Sequence, residues 1–504
     1  MADPDPTRNS PAEAAFQVAR GAALWIEDRL HVAKMWNATA GHLIPQSSAS
    51  WFYVFGSGTL LCFMIQVVTG ILLALIYQPT GADAYQSLEY LTYVAPLGWF
   101  LRGVHFWGSN AMVTIMLLHM TQVFLFGAFK YPRELTWITG VLLMLAVFGM
   151  AFTGQVLRFD QDAYWGLGIG VAIVGRVPFI GPELVHMMLG GPIIGGETLS
   201  RFFTLHVFII PGSILAIVSF HLRLVLAKGI NEYPKPGEKV DKATYVEDYE
   251  KKVHKEGVPF FPHAAWKDMI FAAFVIGAIC ALALVFGPKI PNGVPDPTLI
   301  DTNPRPDFFF LWIFGAASLL PPWTETVLLL TAPVVGIAFL LALPFLFNTG
   351  EKHWSRRPMS VLGVILVFLV TGVLTYFGIT SPWSPVMDAW TSEPTPTRFL
   401  QGRSPLEMQG ALVLQTKQCR NCHALEGIGG KRGPDLDGVA NRLTRDQLIR
   451  QVIQGGGNMP AYGRNLSPDE VTALVAFLET LHPKGTPPAR DSSIPEKPAV
   501  AAAR

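Results

Sequence analysis

Seven stretches of this chain are long and apolar enough that hydrocarbon is the solvent they fit. A helix needs roughly 20 mostly apolar residues to cross a bilayer. Segments 51–77, 104–128, 137–157, 202–226, 268–287, 326–348 and 359–380 meet that requirement. Backbone in lipid must satisfy its own hydrogen bonds, so such a chain is committed to a bundle of helices. The composition agrees: of 504 residues 50% are hydrophobic and 15% charged, and a formal net charge of +1 creates no field that would draw in nucleic acid. Cys62 and Cys280 lie inside apolar runs and read as small hydrophobes, so no disulfide framework is implied. The first residues show no short apolar region followed by a small-residue cleavage site, so the first span is expected to act as the insertion signal. Residues 12–36 read as an amphipathic helix at the membrane surface, with an ordinary solvated helix as the alternative.

Charge in the loops fixes the expected sides. Lys130 and Arg133 follow span two, and a lysine-rich loop including Lys228, Lys235, Lys239 and Lys242 follows span four. "EKHWSRRP" follows span six, whereas the loop between spans one and two holds only Arg102. Basic loops belong inside, so the N-terminus is expected in the cytoplasm and everything after about residue 381 outside. The expected divisions are an N-terminal segment 1–50, a four-span core 51–231, a three-span region 232–381, a Pro/Ser/Thr-rich linker 382–403, a small helical domain 404–486 and a Pro/Ala-rich tail 487–504.

The outer domain carries Cys419-Arg420-Asn421-Cys422-His423, a C-x-x-C-H. That spacing lets two thiols add to the vinyl groups of one haem while the next histidine reaches its iron. A structural zinc site would need further ligands, and no other cysteine lies nearby. Met459, in the glycine-rich "GGGNMPAYG", is the only methionine after His423 and is the expected sixth ligand. A thioether opposite a histidine raises the reduction potential, which suits an electron carrier. The segment is similar to a class I cytochrome c domain.

Four more histidines lie where a polar group is costly. His105 and His119 on span two are fourteen residues apart, and His206 and His221 on span four are fifteen apart. On α-helices each pair falls near one face, separated by about 21–22 Å along the axis. Both spans run the same way through the bilayer, so His105 pairs with His206 on the outer side and His119 with His221 on the inner. Two haems, each held by one histidine from each helix, fit that arrangement. Gly56 and Gly70 on span one, and Gly140 and Gly154 on span three, repeat the fourteen-residue period. Small residues let a flat macrocycle approach the backbone, although helix–helix packing explains glycines equally well when they are taken alone.

On these residues, positions 20 to about 380 resemble the cytochrome b of the cytochrome bc and bf complexes. The fifteen-residue spacing, "YPRELTWITGV" at 131–141 and the seven spans resemble the bf type, here with its two chains fused and a cytochrome c domain added. The resemblance implies an all-α fold: a four-helix di-haem core, three further spans and a small cytochrome c domain. It implies quinol oxidation at an outer site, with one electron passing to a separate Rieske iron–sulfur protein and on to cytochrome c. The other electron would cross through two b haems to an inner quinone site. No Cys/His cluster here suits an iron–sulfur centre, so the Rieske protein must be another chain. The resemblance also implies a homodimer among lipids in a bacterial inner membrane, serving a soluble or membrane-bound cytochrome c-type acceptor.

The family's outer-site "PEWY" corresponds to Pro306-Asp307-Phe308-Phe309. Asp307 keeps the acid in a shorter form and is the candidate general base, with a loop-capping aspartate as the plainer alternative. Arg158, in "GQVLRFDQDAYWG", stands where the family usually has proline, and either a haem propionate or the quinone is its expected neighbour. Arg102 and Arg201, each just before an outer histidine, are the better propionate candidates. Lys130 and Arg133 lie where an inner quinone site belongs and either stabilise a reduced quinone or simply obey the charge rule. The bf type attaches an extra haem through a cysteine at the start of span one; Tyr53-Val54 stands there, so no such haem is expected. The losses in "PDFF" leave a rival reading, a non-bifurcating haem relay between the quinone pool and an outer acceptor.

Overall fold

The computed structural model describes residues 11–191, 194–296, 304–380, 394–417, 419–429, 433–455, 459, 461–463 and 466–482. The first ten residues, linker residues 382–393 and the tail 487–504 fall outside them. Among the described residues seven helices are long and apolar enough to span a membrane: Trp51–Ala74, Gly98–Leu125, Glu134–Leu157, Gly196–Lys228, Ala265–Phe286, Thr324–Leu346 and Pro358–Thr380. Each overlaps one of the seven expected segments, with ends shifted by up to six residues. The two-residue and three-residue strands pair only as short clips, so the fold is all-α. The chain is a multi-pass membrane protein. Phe274, Val334, Phe339, Phe368 and other large apolar side chains on the outer faces of the bundle are exposed and need hydrocarbon around them.

The core lies where spans one to five meet. Cys62, Phe63, Met112, Met116, Val147, Ile214, Ile279 and Phe309 are buried together there. The short apolar helix Phe308–Ser318 lies against span seven. Gly315 and Gly378 sit where these two backbones touch, and a Cβ at either would run into a carbonyl of the other helix.

Interlocking contacts separate the two ends of the bundle. At one end Lys130 Nζ donates to the carbonyls of Phe347 and Thr349, both at 2.6 Å. Strand Leu43–Pro45 pairs with Gly257–Pro259, and Lys239–Val240 with Gly350–Glu351. At the other end Tyr77 OH donates to Leu157 O, and Arg176 pairs with Glu325 at 2.8 Å. The loops therefore group in the alternation that seven spans demand. The N-terminal helix Pro11–Leu30 stops at His31, whose φ of 50° breaks it, and resumes as Val32–Ala38. It is thus two pieces rather than one run over 12–36, and Phe16, Trp25, Leu30 and Trp36 on them are exposed.

The C-terminal domain folds around its own core of Leu414, Leu425, Leu448, Leu474, Phe477 and Leu481. Its helices Pro405–Thr416, Arg445–Gln454 and Pro468–Leu478 all start with a reciprocal capping box, from Ser404/Glu407, Thr444/Gln447 and Ser467/Glu470. The first and last of these cross at Gly410, where any side chain would strike the Ala473 carbonyl.

One buried ionic cluster joins loops that belong to the two halves of the membrane domain. Lys352 Nζ lies 2.9 Å from Glu232 Oε1. Tyr245 OH donates to Glu232 Oε2 at 3.0 Å and accepts from Arg133 Nη1 at 2.8 Å. Burial alone would raise the Glu232 carboxyl, but Lys352 and Arg133 outweigh it and hold it at about 2. A carboxyl held below its usual 4.5 contributes stability above that value and loses it as pH falls towards 2. Lys352→Met strands a buried carboxylate and is expected to cost roughly 3–5 kcal/mol, seen as a lower unfolding temperature in detergent. Lys352→Met with Glu232→Leu should recover most of that loss.

Candidate redox centres

Each intramembrane histidine is met by a glycine on a neighbouring helix. A Cβ at Gly70 would stand 3.3 Å from the His105 ring, at Gly56 3.2 Å from His119, at Gly140 3.7 Å from His221 and at Gly154 2.7 Å from His206. At Gly154 no side chain would fit without moving the ring. Span one thus packs against the histidines of span two, and span three against those of span four.

His105 and His206 face each other with ring centres 6.4 Å apart and planes at 72°. A metal–imidazole bond of about 2 Å on each side, with about 1 Å more to each ring centre, requires about 6 Å. The gap is too wide for a direct hydrogen bond and suits one iron between two imidazoles.

The unequal spacings have a local cause. Span four is not α-helical throughout: Leu205–Ile209 forms a π turn that contains His206. Pro211 follows within the next helical turn and has no N–H to give the ladder. The π turn absorbs one extra residue, so fifteen positions on span four cover the same rotation as fourteen on span two.

Three hydroxyls set the tautomers. Thr69 Oγ1 lies 2.8 Å from His105 Nδ1, Thr139 Oγ1 2.8 Å from His221 Nδ1 and Thr153 Oγ1 2.9 Å from His206 Nδ1. Each hydroxyl donates its own proton to its helix, to Ile65, Leu135 and Gly149 carbonyls respectively. Its oxygen then accepts from Nδ1–H, which leaves the lone pair on Nε2, the form that binds iron.

Two cavities open on the two pairs. The outer, about 290 Å³, is lined by His105, His206, Gly70, Gly154, Arg102, Arg158, Lys289 and Asp307. The inner, about 630 Å³, is lined by His119, His221, Gly56, Gly140, Ser50, Tyr53, Arg133, Asn231 and Asp268. Among the described residues His119 Nδ1, Ser50 Oγ and Asn231 Oδ1 are buried without a protein partner, and all three belong to inner-cavity residues. Orphaned polar atoms concentrated in one cavity are what a ligand with its own polar groups would satisfy. These residues fit haem: paired neutral imidazoles, glycine cradles and, on the outer side, guanidinium groups for propionates.

Several candidates fall elsewhere than expected. Arg102 lines the outer cavity while donating to Thr92 at 2.6 Å and to the Lys289 carbonyl at 2.5 Å. Arg201 does not: it donates to the Met187 carbonyl at 2.7 Å on an exposed surface, because five residues before His206 lies about 140° round the helix from it. Arg158 lines the outer cavity and is ion-paired with buried Asp160. Of the "PDFF" residues only Asp307 lines that cavity. Phe309 is core, against Phe148, and Phe308 is exposed. Asp307 occupies the N-cap position of helix Phe308–Ser318 but makes no capping hydrogen bond. Burial raises its carboxyl above the ordinary range, against the opposing pull of Lys289 and Arg158. On the inner side Arg133 lines the cavity, whereas Lys130 turns away to tie down the end of span six. Asp268, bonded to Ser57 at 2.9 Å, escaped the sequence analysis. Its signal was a lone acid at the head of an apolar span.

In the C-terminal domain Cys419 begins a tight turn, and the N–H groups of Cys422 and His423 both return to its carbonyl. His423 Nδ1 donates to the Pro434 carbonyl at 2.7 Å, so its Nε2 is also free to bind iron. Gly433 lies flush against the ring. Cys419 and Met459 edge the same apolar core. These residues fit a covalent haem.

The sequence profile described as "Cytochrome b/b6/petB" matches residues 41–229. Cytochrome b6 from Synechococcus elongatus is 38% identical over 207 residues, 41% of this chain and 96% of that protein. The chain belongs to the cytochrome b/b6 family. The menaquinol:cytochrome c reductase cytochrome b subunit of Geobacillus thermodenitrificans is 35% identical over 214 residues, covering 41% of this chain and 96% of the relative. A chain of a solved hyperthermophilic respiratory Complex III superposes with a TM-score of 0.62 at 28% identity, covering 72% of this chain and 91% of that one. Residues 406–478 match the profile "Cytochrome C oxidase, cbb3-type, subunit III". The chain is therefore a cytochrome b subunit of bc type with a C-terminal cytochrome c domain, and the two families imply b-type haems and a c haem.

Gly154→Val is expected to displace His206 and lower the dithionite-reduced b-haem absorbance, while Gly140→Ala, with 3.7 Å available, should leave it near wild type.

Proposed function

We propose that this chain is the haem-bearing subunit of a membrane quinol:cytochrome c oxidoreductase. It holds two b haems, between His105 and His206 and between His119 and His221, and one c haem on Cys419, Cys422, His423 and Met459. The observation that carries this reading is that each histidine pair opens on its own cavity, with an acid on the wall of each. Bis-imidazole iron supplies reversible one-electron transfer when bound.

The remaining work belongs to the protein. Quinol enters the outer cavity and its two hydroxyls lose their protons one after the other through the Asp307 carboxylate, which releases each outward as the quinol becomes quinone. One electron leaves to a separate Rieske iron–sulfur partner and reaches the fused cytochrome c domain, which passes it to a cytochrome c-type acceptor. The other electron moves from the outer to the inner pair, about 21 Å along span two. A quinone in the inner cavity takes up two such electrons over two turnovers together with two protons from the inner side, with Asp268 beside it as proton donor and Arg133 as anion partner. The basic loops around Lys130 and Lys239 favour the cytoplasmic side of a bacterial inner membrane for the inner cavity. The name of the Geobacillus relative supports a quinol as donor.

Oxidant-induced reduction tests the split path. With quinol present and the inner site blocked, a pulse of oxidant should make the b haems more reduced as the c haem is oxidised. If b and c haems oxidise together, the chain is a linear relay and the bifurcating reading fails. Asp307→Asn should lower quinol oxidation about 100-fold or more, with Asp307→Glu retaining most of it. Because burial raises this carboxyl, wild-type turnover should fall as pH drops through a value above 3.8, and Asp307→Asn should abolish that limb.

A further inference from the structure

The second shell around the four histidines is unequal. Thr69, Thr139 and Thr153 each immediately precede the glycine that packs on the same histidine: Thr69-Gly70, Thr139-Gly140 and Thr153-Gly154. At the fourth place the dipeptide is Phe55-Gly56. Gly56 still packs on His119, but Phe55 offers no oxygen and turns its ring to Phe271. His119 Nδ1 is left buried with no protein partner, while the other three are bonded at 2.8–2.9 Å.

We infer that the residue before each packing glycine sets the potential of the iron on that side, and that Phe55 withholds the fourth bond. An Nδ1–H that donates to oxygen makes the imidazole a stronger electron donor through Nε2, which favours the oxidised iron and lowers its potential. The outer iron receives two such ligands and the inner iron one. The inner site therefore holds an electron more tightly, and transfer from outer to inner cavity runs downhill. The inference rests on the two-haem reading above and adds the residues that give the path its direction. Thr69, Thr139 and Thr153 act through the histidines and are positioning residues.

Redox titration of the α-band absorbance, with EPR of the oxidised b haems, tests this on the purified full chain. Thr69→Val is expected to raise one b component, so that its reduced-to-oxidised ratio at fixed ambient potential rises by up to about tenfold, which is 59 mV for a one-electron couple. Thr139→Val should raise the other component. Thr69→Ser keeps the hydroxyl and should stay at the wild-type value, a rescue that a packing role alone would not predict. Phe55→Thr should lower the component that Thr139→Val raises. The inference is overturned if Thr69→Val binds both b haems with unmoved potentials, or if both components move together. If Phe55→Thr does not assemble, Thr139→Val decides for the inner side, and an unmoved potential there also overturns it. A wild-type pyridine haemochrome spectrum without two b haems would instead refute the haem reading itself.

Discussion

Four imidazoles held within an apolar bundle are the constraint on which the membrane domain is organised. A buried ring nitrogen must meet a hydrogen-bond partner or a metal, because hydrocarbon offers neither. The 6.4 Å between the His105 and His206 rings leaves them unable to satisfy each other and spaced for an iron. That requirement propagates outward. The rings must lie flush against their neighbours, hence glycine on spans one and three. Their Nδ1 protons need acceptors, hence three threonines. The two rings of span four must share a face, hence the π turn before Pro211.

The parts of this arrangement that repeat along the chain were legible in the sequence. Span existence, the histidine pairs, the four glycines and the C-x-x-C-H follow from spacing, because spacing on a helix is geometry. What was not legible depends on which way a long side chain turns. Arg102 lies three residues before its histidine and Arg201 five, and one reaches a buried wall while the other reaches a surface carbonyl. Lys130 and Arg133 are three residues apart, and only the second reaches the inner cavity. Phe309 looks like a quinone-pocket residue and is core, because a short helix carries it towards span three.

Joining what the bf type divides between two chains has a structural counterpart. The cluster of Glu232, Tyr245, Lys352 and Arg133 draws on the loops after spans two, four and six. Its burial makes each member dependent on the others, since a half-satisfied ionic network is worse than none. It also lies behind Arg133 and Asn231 on the wall of the inner cavity. The cluster thus fixes that wall of the inner cavity from the loop side.

The difference between the two cavities bears on where the second quinone belongs. Both are bounded by equivalent histidines and glycines, so a macrocycle of one size would occupy comparable space in each. The inner cavity nevertheless measures about 630 Å³ against about 290 Å³ for the outer. Most of the lining is apolar, but Ser50 Oγ and Asn231 Oδ1 lie buried on it without a protein partner, and Asp268 is part of the same wall. Empty cavities in proteins are lined by apolar groups, and polar ones are filled. In the proposed function the inner quinone takes this added volume, with its oxygen atoms towards these polar groups and its apolar body along the rest of the wall.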